Sequence, residues 1–295
     1  MIRKILKYVL RKLGYSINRL DTRSEILKEL VKVLGFNPTG SAYEFLYDGL
    51  SLLNNLKKEG GTFCLVEDKI SIEIQGLFFF INTWEELFIL NEIIVEGIYD
   101  ISLKDDFALI DIGMNVGFTS IYFANKNNCK QIFSYEPVQT TLDLAKSNLD
   151  RNKCSAKIKL FNNALGYPER QISVYHTAEL KGSTGLYGYS PTEHLHLTTD
   201  KISLKIEDVS SYLKKNFLDY QGTFVAKIDC EGCEYEIIER LEDTGILTRI
   251  SIFLIEWHKK GPTLLKRILS QNGYCAITLS EKKEARGMIY AFLKK

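Results

Sequence analysis

Residues 107–118 read FALIDIGMNVGF. A run of apolar side chains halts at Asp111, and Gly113 and Gly117 then bracket Met114, Asn115 and Val116 before the chain becomes apolar again at Phe118. The pattern predicts a buried strand ending at Asp111, a tight turn over Ile112 to Gly117, and a helix beginning around Phe118. In an open α/β sheet, ligands lie at the carboxyl ends of the strands, and a glycine-rich first strand-to-helix turn lets backbone approach them closely. The Gly113-x-x-x-Gly117 spacing lacks both the Lys-Ser/Thr of a P-loop and the third glycine of a dinucleotide fingerprint, so it is a weak site for a polyphosphate. The next apolar run, QIFSYEP, ends in Glu136, about 20 residues past the turn, where a carboxylate accepts hydrogen bonds from ribose hydroxyls. The pair predicts a ligand that carries a ribose and no pyrophosphate.

Working outward from that turn, IKLFNNA, TFVAKID and ISIFLIEWH are further apolar runs separated by helical patterns. Strands that are apolar on both faces and alternate with helices predict a mostly parallel sheet covered on both sides. GYCAITLS and MIYAFLKK, separated by a charged turn, predict a terminal antiparallel hairpin. Upstream, TFCLVEDKISIEIQGLFFFI alternates as antiparallel strands do, and residues 61–106 read as entrance strands to an α/β domain spanning 61–295. Residues 1–60 read as a helical extension. Its first 20 residues place Ile2, Ile5, Leu6, Val9, Leu10 and Leu13 on one face and five Lys or Arg around the other, a basic amphipathic helix. Such a helix suits peripheral contact with an anionic membrane, self-association, or docking on the protein's own core, and the sequence leaves these open.

The 295 residues are 45% hydrophobic and 25% charged with a formal net charge of +1, an ordinary globular composition without the basic surplus of a nucleic-acid binder. The expected partner is a small molecule or glycan. No apolar run reaches the roughly 20 residues that span a bilayer, and no cleavable leader is evident, so a cytoplasmic location is expected. Six scattered cysteines are expected to be reduced thiols; Cys230-x-x-Cys233 has redox or zinc spacing but no second pair beside it.

Several ordered motifs resemble the FkbM-type family of S-adenosylmethionine-dependent methyltransferases. DIGMNVG resembles the family's Asp-x-Gly-x-Asn-x-Gly turn, YEP its ribose-binding acid, NNALG the segment after the third strand, and KIDCEGCEYEII its Lys-x-Asp-x-Glu-Gly-x-Glu signature. NEIIVEGIYD resembles the Glu-plus-Tyr entrance segment. The resemblance covers residues 91–258; Met114 stands where alanine is usual and is expected to narrow the cofactor site.

The resemblance implies a Rossmann-like class I methyltransferase fold, doubly wound and mostly parallel, with S-adenosylmethionine as cofactor. It implies that Asp111 and Asn115 orient the methionine portion, that Gly113 and Gly117 let the backbone approach the cofactor, that Glu136 holds the ribose, and that Asn163 with Ala164 borders the adenine. An in-line methyl transfer depends mainly on holding acceptor and methyl together, and a hydroxyl acceptor also needs a base. Lys227, Asp229, Glu231 and Glu234 crowd one strand end while Glu256 and His258 end the next; Asp229 or His258 is expected as the base, with Glu231 and Glu256 positioning the acceptor. For Glu234, capping the following helix is as good a reading as chemistry. A divalent ion on Asp229, Glu256 and His258 is a further reading and not the favoured one. The long polar stretch 177–200 offers Tyr187 and Tyr189 as stacking surfaces and His194 and His196 as hydrogen-bonding groups for the acceptor. The expected reaction is O-methylation of a sugar hydroxyl in a surface polysaccharide or glycosylated natural product. A nicotinamide-dependent oxidoreductase and a non-catalytic membrane-associated scaffold are the competing classes.

Overall fold

The structure, a computed structural model, describes residues 23–38, 40, 43–66, 69–187, 198–279 and 286–294. The predicted basic helix 1–20 and Tyr189, His194 and His196 lie outside the described residues.

Among the described residues three helices come first: α1 (Arg23–Leu34), α2 (Phe45–Asp48) and α3 (Leu50–Lys58). They lead into β1 (Thr62–Val66), β2 (Lys69–Ile74) and β3 (Leu77–Ile81), an antiparallel meander. The free edge of β3 is closed by side chains. Phe78 and Phe80 donate their backbone N–H to Asn152 Oδ1 at 2.8 Å and Asn148 Oδ1 at 2.9 Å, so two asparagines one helical turn apart replace a neighbouring strand. Leu30, Leu46, Leu53 and Leu56 of the leading helices are fully buried in the same apolar cluster as Phe79, Phe118 and Leu109, so the helical extension completes one face of the main core.

Helix α4 (Trp84–Asn91) begins at Thr83, whose side chain accepts from Glu86 N, while Glu86 reaches back to Asn82 N at 2.5 Å. These reciprocal bonds satisfy two backbone donors that the helix start would leave orphaned. The helix widens into a π-turn over Glu92–Glu96 and stops at Gly97, whose φ of 65° is left-handed.

The α/β portion then runs β4 (Phe107–Ile112), α5 (Phe118–Ala124), β5 (Cys129–Tyr135), α6 (Gln139–Asn152), β6 (Ile158–Phe161), β7 (Ala164–Gly166), β8 (Arg170–His176), β9 (Asp200–Asp208), α7 (Val209–Asp219), β10 (Thr223–Ile228), α8 (Glu234–Asp243), β11 (Ile252–His258), α9 (Thr263–Gln271), β12 (Tyr274–Leu279) and β13 (Arg286–Leu293). The seven-stranded sheet has the order β12-β13-β11-β10-β4-β5-β6. All of its pairings are parallel except those of β13, which slots antiparallel between β11 and β12. Every residue of β4 is buried, as a central strand sandwiched between helical layers requires. One face carries α5, α6 and the N-terminal elements, the other α7, α8 and α9.

The chain winds outward from β4 through β5 to β6 and then returns to β10 on the other side of β4. That reversal opens a crevice beyond the carboxyl ends of β4 and β10, the place where doubly wound sheets bind ligands. A small sheet of order β7-β9-β8, absent from the strand pattern read in the sequence, follows β6 in the chain and contributes Ile172, Leu204 and Ile206 to the crevice wall.

Candidate active site

The turn after β4 is shaped by contact with the end of β10. Tyr135 O accepts from both Gly113 N at 3.1 Å and Met114 N at 3.0 Å, and Asp229 N donates to Ile112 O at 3.1 Å. Gly113 has φ +81°, and a Cβ there would stand 1.7 Å from the Asp229 carbonyl oxygen. Two backbones therefore meet where only glycine fits. Asn115 is also left-handed, at φ 52°, which aims its N–H at Glu136 Oε2, 3.0 Å away. Met114, 2% exposed, packs in the core beside Gly117 and also borders the cleft.

Glu136 accepts from Asn115 N through one oxygen and from Val138 N at 2.9 Å through the other. Burial raises its pKa to about 7, with those two amides pulling the other way. Asp111 is fully buried behind the turn and is absent from the cleft lining; it accepts from Ser120 Oγ at 2.6 Å and lies 3.4 Å from Lys227 Nζ. Lys227 is the tie between turn and rim: its ammonium donates to Gly113 O and stands 3.4 Å from Asp229 Oδ2 as well. Although burial pulls its pKa down, Asp229 and Asp111 hold Lys227 above its ordinary value. Asp111 thus reaches the turn through Lys227 and Ser120, not through the cleft.

On the opposite wall, Asn163 and Ala164 border the cleft together with Ile172, Leu204 and Ile206 of the small sheet. Asn163 Nδ2 donates to the Glu207 carboxylate and to Tyr212 Oη at 3.0 Å, which fixes the amide's orientation. The three aliphatic side chains make an apolar stretch of wall whose strands the sequence pattern does not reveal.

At the rim, Asp229, Glu231 and Glu256 all face the cleft. Asp229 Oδ2 accepts from Tyr99 Oη at 3.1 Å. Burial acts to raise its pKa, but Lys227, His258 and the Tyr99 hydrogen bond together hold it below the usual carboxylate range. Burial pushes both Glu231 and Glu256 up to about 7. His258 stands behind them, 5% exposed and outside the cleft lining. Its backbone N–H donates to Glu234 Oε1 at 2.8 Å, and its Nδ1 lies 3.2 Å from the same oxygen. Glu234, fully buried at the start of α8, also accepts from Gly232 N at 2.8 Å. It does not cap its helix, whose start has no side-chain cap, but holds the turn ahead of it and fixes the His258 ring, a positioning role that the sequence left level with simple capping.

The entrance segment supplies groups that pattern reading left unassigned. Glu92, at the start of the π-turn, and Tyr99 line the cleft floor, and burial lifts Glu92 to about 8. Trp84 and Phe88 stack at 5.3 Å between centroids on the same wall. Facing them, Lys181 Nζ pairs with Glu86 at 2.9 Å with both side chains buried, and Gly182 N donates to Glu85 Oε2 at 2.9 Å. These bonds fasten residues 181–183 across the cleft. Tyr187 is not among the lining residues; its ring covers Gly232 and carries the Lys260 ammonium 5.2 Å above it. The six cysteines are free, and Cys230 Sγ stands 3.8 Å from Glu234 Oε2. Among the described residues no helix is long and apolar enough to cross a membrane.

A seven-stranded sheet with one inserted antiparallel strand, a glycine turn at its reversal point and an acid closing the next strand define a Rossmann-like class I methyltransferase architecture. The family model described as "Methyltransferase FkbM domain" matches residues 111–274, and the chain belongs to that family of methyltransferases. It is similar to Methyltransferase 1 of Beauveria bassiana (strain ARSEF 2860), with 21% identity over 53% of this chain and 67% of the relative. It is likewise similar to Methyltransferase sdnD of Sordaria araneosa, 22% identical over 62% and 80%. Similar solved structures include a human methyltransferase 10 domain containing protein, at 14% identity and TM-score 0.42 over 83% of this chain and 94% of that one. Another is M. capricolum TrmK in complex with S-adenosyl-homocysteine, at 13% identity and TM-score 0.37 over 68% of each chain.

Proposed function

We propose that this methyltransferase uses S-adenosylmethionine to methylate a hydroxyl oxygen, on a sugar of a surface polysaccharide or of a glycosylated natural product. The observation that carries the reading is the contact of Gly113 with Asp229, bridged by Lys227. The ligand-approach turn and the acidic rim are one rigid unit, so a cofactor seated on the first is presented to the second.

The residues fit that cofactor. Among the described residues Asn115 Oδ1 is buried without a hydrogen-bond partner, as an acceptor meant for a ligand would be. Glu136 retains lone pairs for ribose hydroxyls beyond the two amides it already accepts from. Ile172, Leu204 and Ile206 with Ala164 offer an apolar bed for adenine. Among the described residues the cleft lining holds six acids (Glu85, Glu92, Glu136, Asp229, Glu231 and Glu256) against three bases (Lys181, Lys227 and Arg286). Burial shifts several of these acids upward, and a bound sulfonium cation would favour their ionised form where a pyrophosphate would oppose it, which weighs against the nicotinamide reading. When bound, S-adenosylmethionine supplies a methyl group on a positively charged sulfur.

The chain's own part is to hold the acceptor and take its proton. Glu231 and Asp229 border the cleft and are the groups placed to receive the hydroxyl proton, while Glu256 positions the acceptor. His258 is held behind them by Glu234 and acts through the carboxylates it faces. Stacked Trp84 and Phe88 present a flat apolar surface of the kind a sugar ring lies against. The cleft encloses about 290 Å³, the scale of a small-molecule site.

Calorimetric titration with S-adenosylhomocysteine and with NAD tests the cofactor assignment; binding of NAD alone would overturn it. Transfer of labelled methyl from S-adenosylmethionine to a panel of free sugars, glycans and nucleotide sugars tests the acceptor class. Label found on a nitrogen acceptor instead would refute O-methylation.

A further inference from the structure

We infer that Asp229, Glu256 and His258 form a site for a divalent cation of the Mn²⁺ or Mg²⁺ kind, at the acceptor end of the cleft. The inference deepens the methyl-transfer reading, placing the ion where the acceptor oxygen would sit.

His258 is 5% exposed, and its Nε2 is buried without a hydrogen-bond partner among the described residues. Its other nitrogen is engaged by Glu234 Oε1 at 3.2 Å, and the same carboxylate oxygen holds the His258 backbone N–H at 2.8 Å. The ring therefore cannot turn away. A carboxylate on Nδ1 fixes the tautomer that leaves the Nε2 lone pair free, the outer support that metal-ligating histidines carry.

Nε2 is aimed at acids. Glu231 Oε1 lies 3.5 Å away and Glu256 Oε1 3.8 Å, and one ligand atom each from Asp229, Glu256 and His258 lie within 4.8 Å of one another. A nitrogen facing carboxylates at these distances needs a positive charge between them. The separations are long for direct hydrogen bonds. They are close to the spacing of ligands that share an ion, since bonds of about 2.0–2.2 Å put ligand atoms at most about 4.4 Å apart. A closing movement of a few tenths of an ångström brings the three ligand atoms within reach of one ion.

The neighbours leave that charge requirement standing. Lys227 is shared between Asp229 and the more deeply buried Asp111, and Arg286 is divided between Glu256 at 3.3 Å and Glu92 at 3.6 Å. Two carboxylates with one imidazole suit hard or borderline divalent ions and leave coordination positions open toward the cleft. An ion there lowers the pKa of an oxygen bound to it, the assistance a hydroxyl acceptor requires.

The test is Mn²⁺ titration of the full-length, chelator-stripped protein, following loss of the free-ion electron paramagnetic resonance signal, with Mg²⁺ as competitor. One equivalent is expected to bind saturably, with affinity falling at least tenfold in Glu256→Gln and in His258→Gln, and roughly 10- to 100-fold in Glu234→Gln, where only the supporting carboxylate changes. Thermal unfolding and S-adenosylhomocysteine calorimetry on each variant verify that the fold is kept. No saturable binding up to millimolar Mn²⁺, or equal binding by wild type and all three variants, overturns the site. Wild type that binds S-adenosylhomocysteine but not Mn²⁺ refutes the ion and leaves the cofactor reading intact, whereas the reverse pattern refutes the cofactor reading alone.

Discussion

Replacing Gly113 by alanine tests the central geometric claim, that the turn after β4 and the end of β10 are in backbone contact. Two costs are separable. The first is conformational: at φ +81° an L-residue is disfavoured by about 1–2 kcal/mol. The second is steric, because the new methyl would stand 1.7 Å from the Asp229 carbonyl oxygen and 2.8 Å from its carbon. No rotamer change relieves a clash with backbone atoms. Both segments are also pinned, Gly113 N to Tyr135 O and Asp229 N to Ile112 O, each at 3.1 Å. Forcing them apart costs a further 1–3 kcal/mol or so, typical of overpacking, for a total of about 2–5 kcal/mol. Gly245→Ala is the matched control, since Gly245 has φ +67° but nothing lies within 4 Å of where its new methyl would stand. Urea denaturation should show Gly245→Ala losing about 1–2 kcal/mol and Gly113→Ala clearly more. Calorimetry should show S-adenosylhomocysteine affinity lost only in Gly113→Ala. Equal destabilisation by the two substitutions, with affinity unchanged in both, would refute the abutment.

Other outcomes follow from the same geometry. Glu136→Ala should weaken S-adenosylhomocysteine binding by about 1.5–3 kcal/mol, roughly 10- to 150-fold, as expected for charged hydrogen bonds, and unchanged calorimetric affinity would remove Glu136 from the site. Because burial raises the Glu136 pKa to about 7, the carboxylate forms as pH rises through 7, so affinity should increase across that interval and the increase should vanish in Glu136→Gln. Asp208 is held near 2, first by its hydrogen bond with Arg240. A depressed folded pKa stabilises above the unfolded value and is lost on acidification, so Arg240→Met should flatten the fall in stability between about pH 4 and 2, read by acid titration of the circular dichroism signal. Lys181→Met leaves Glu86 buried without its 2.9 Å partner and should cost about 3–5 kcal/mol, with the Glu86→Gln/Lys181→Met double variant recovering part of the loss in the same melts. Deleting residues 1–20 should leave S-adenosylhomocysteine binding unchanged while reducing sedimentation with anionic vesicles; full sedimentation of the truncated chain would refute the membrane role.

Local chemistry made much of this protein readable from its sequence. The β4 turn, Glu136 and the acids of KIDCEGCE announced themselves because glycine at positive φ and carboxylates at strand ends are requirements of backbone geometry and desolvation, and these act over a few residues. Apolar runs of two-face burial marked the parallel strands for the same reason. Tertiary structure alone decided which of those residues share a wall. Asp111 and Asp229 look equivalent as acids ending apolar strands, yet one is sealed behind the turn and the other opens on the cleft, because Lys227 rises between them from β10. The role of Glu234 depended on whether His258, 24 residues on, returned beside it across α8. β8 and β9 went unseen since their half-exposed faces carry mixed polar residues, and the apolar bed they form exists only after pairing. Tyr187 offered a stacking ring in sequence, but that ring is taken up in covering Gly232, while Trp84 and Phe88, about 100 residues earlier, arrive at the cleft through a helix whose placement follows from packing alone. Each segment's residues determine what it must do locally; the winding of the sheet decides which segments meet, since contacts between distant residues are set by the shared burial of faces that no short window contains.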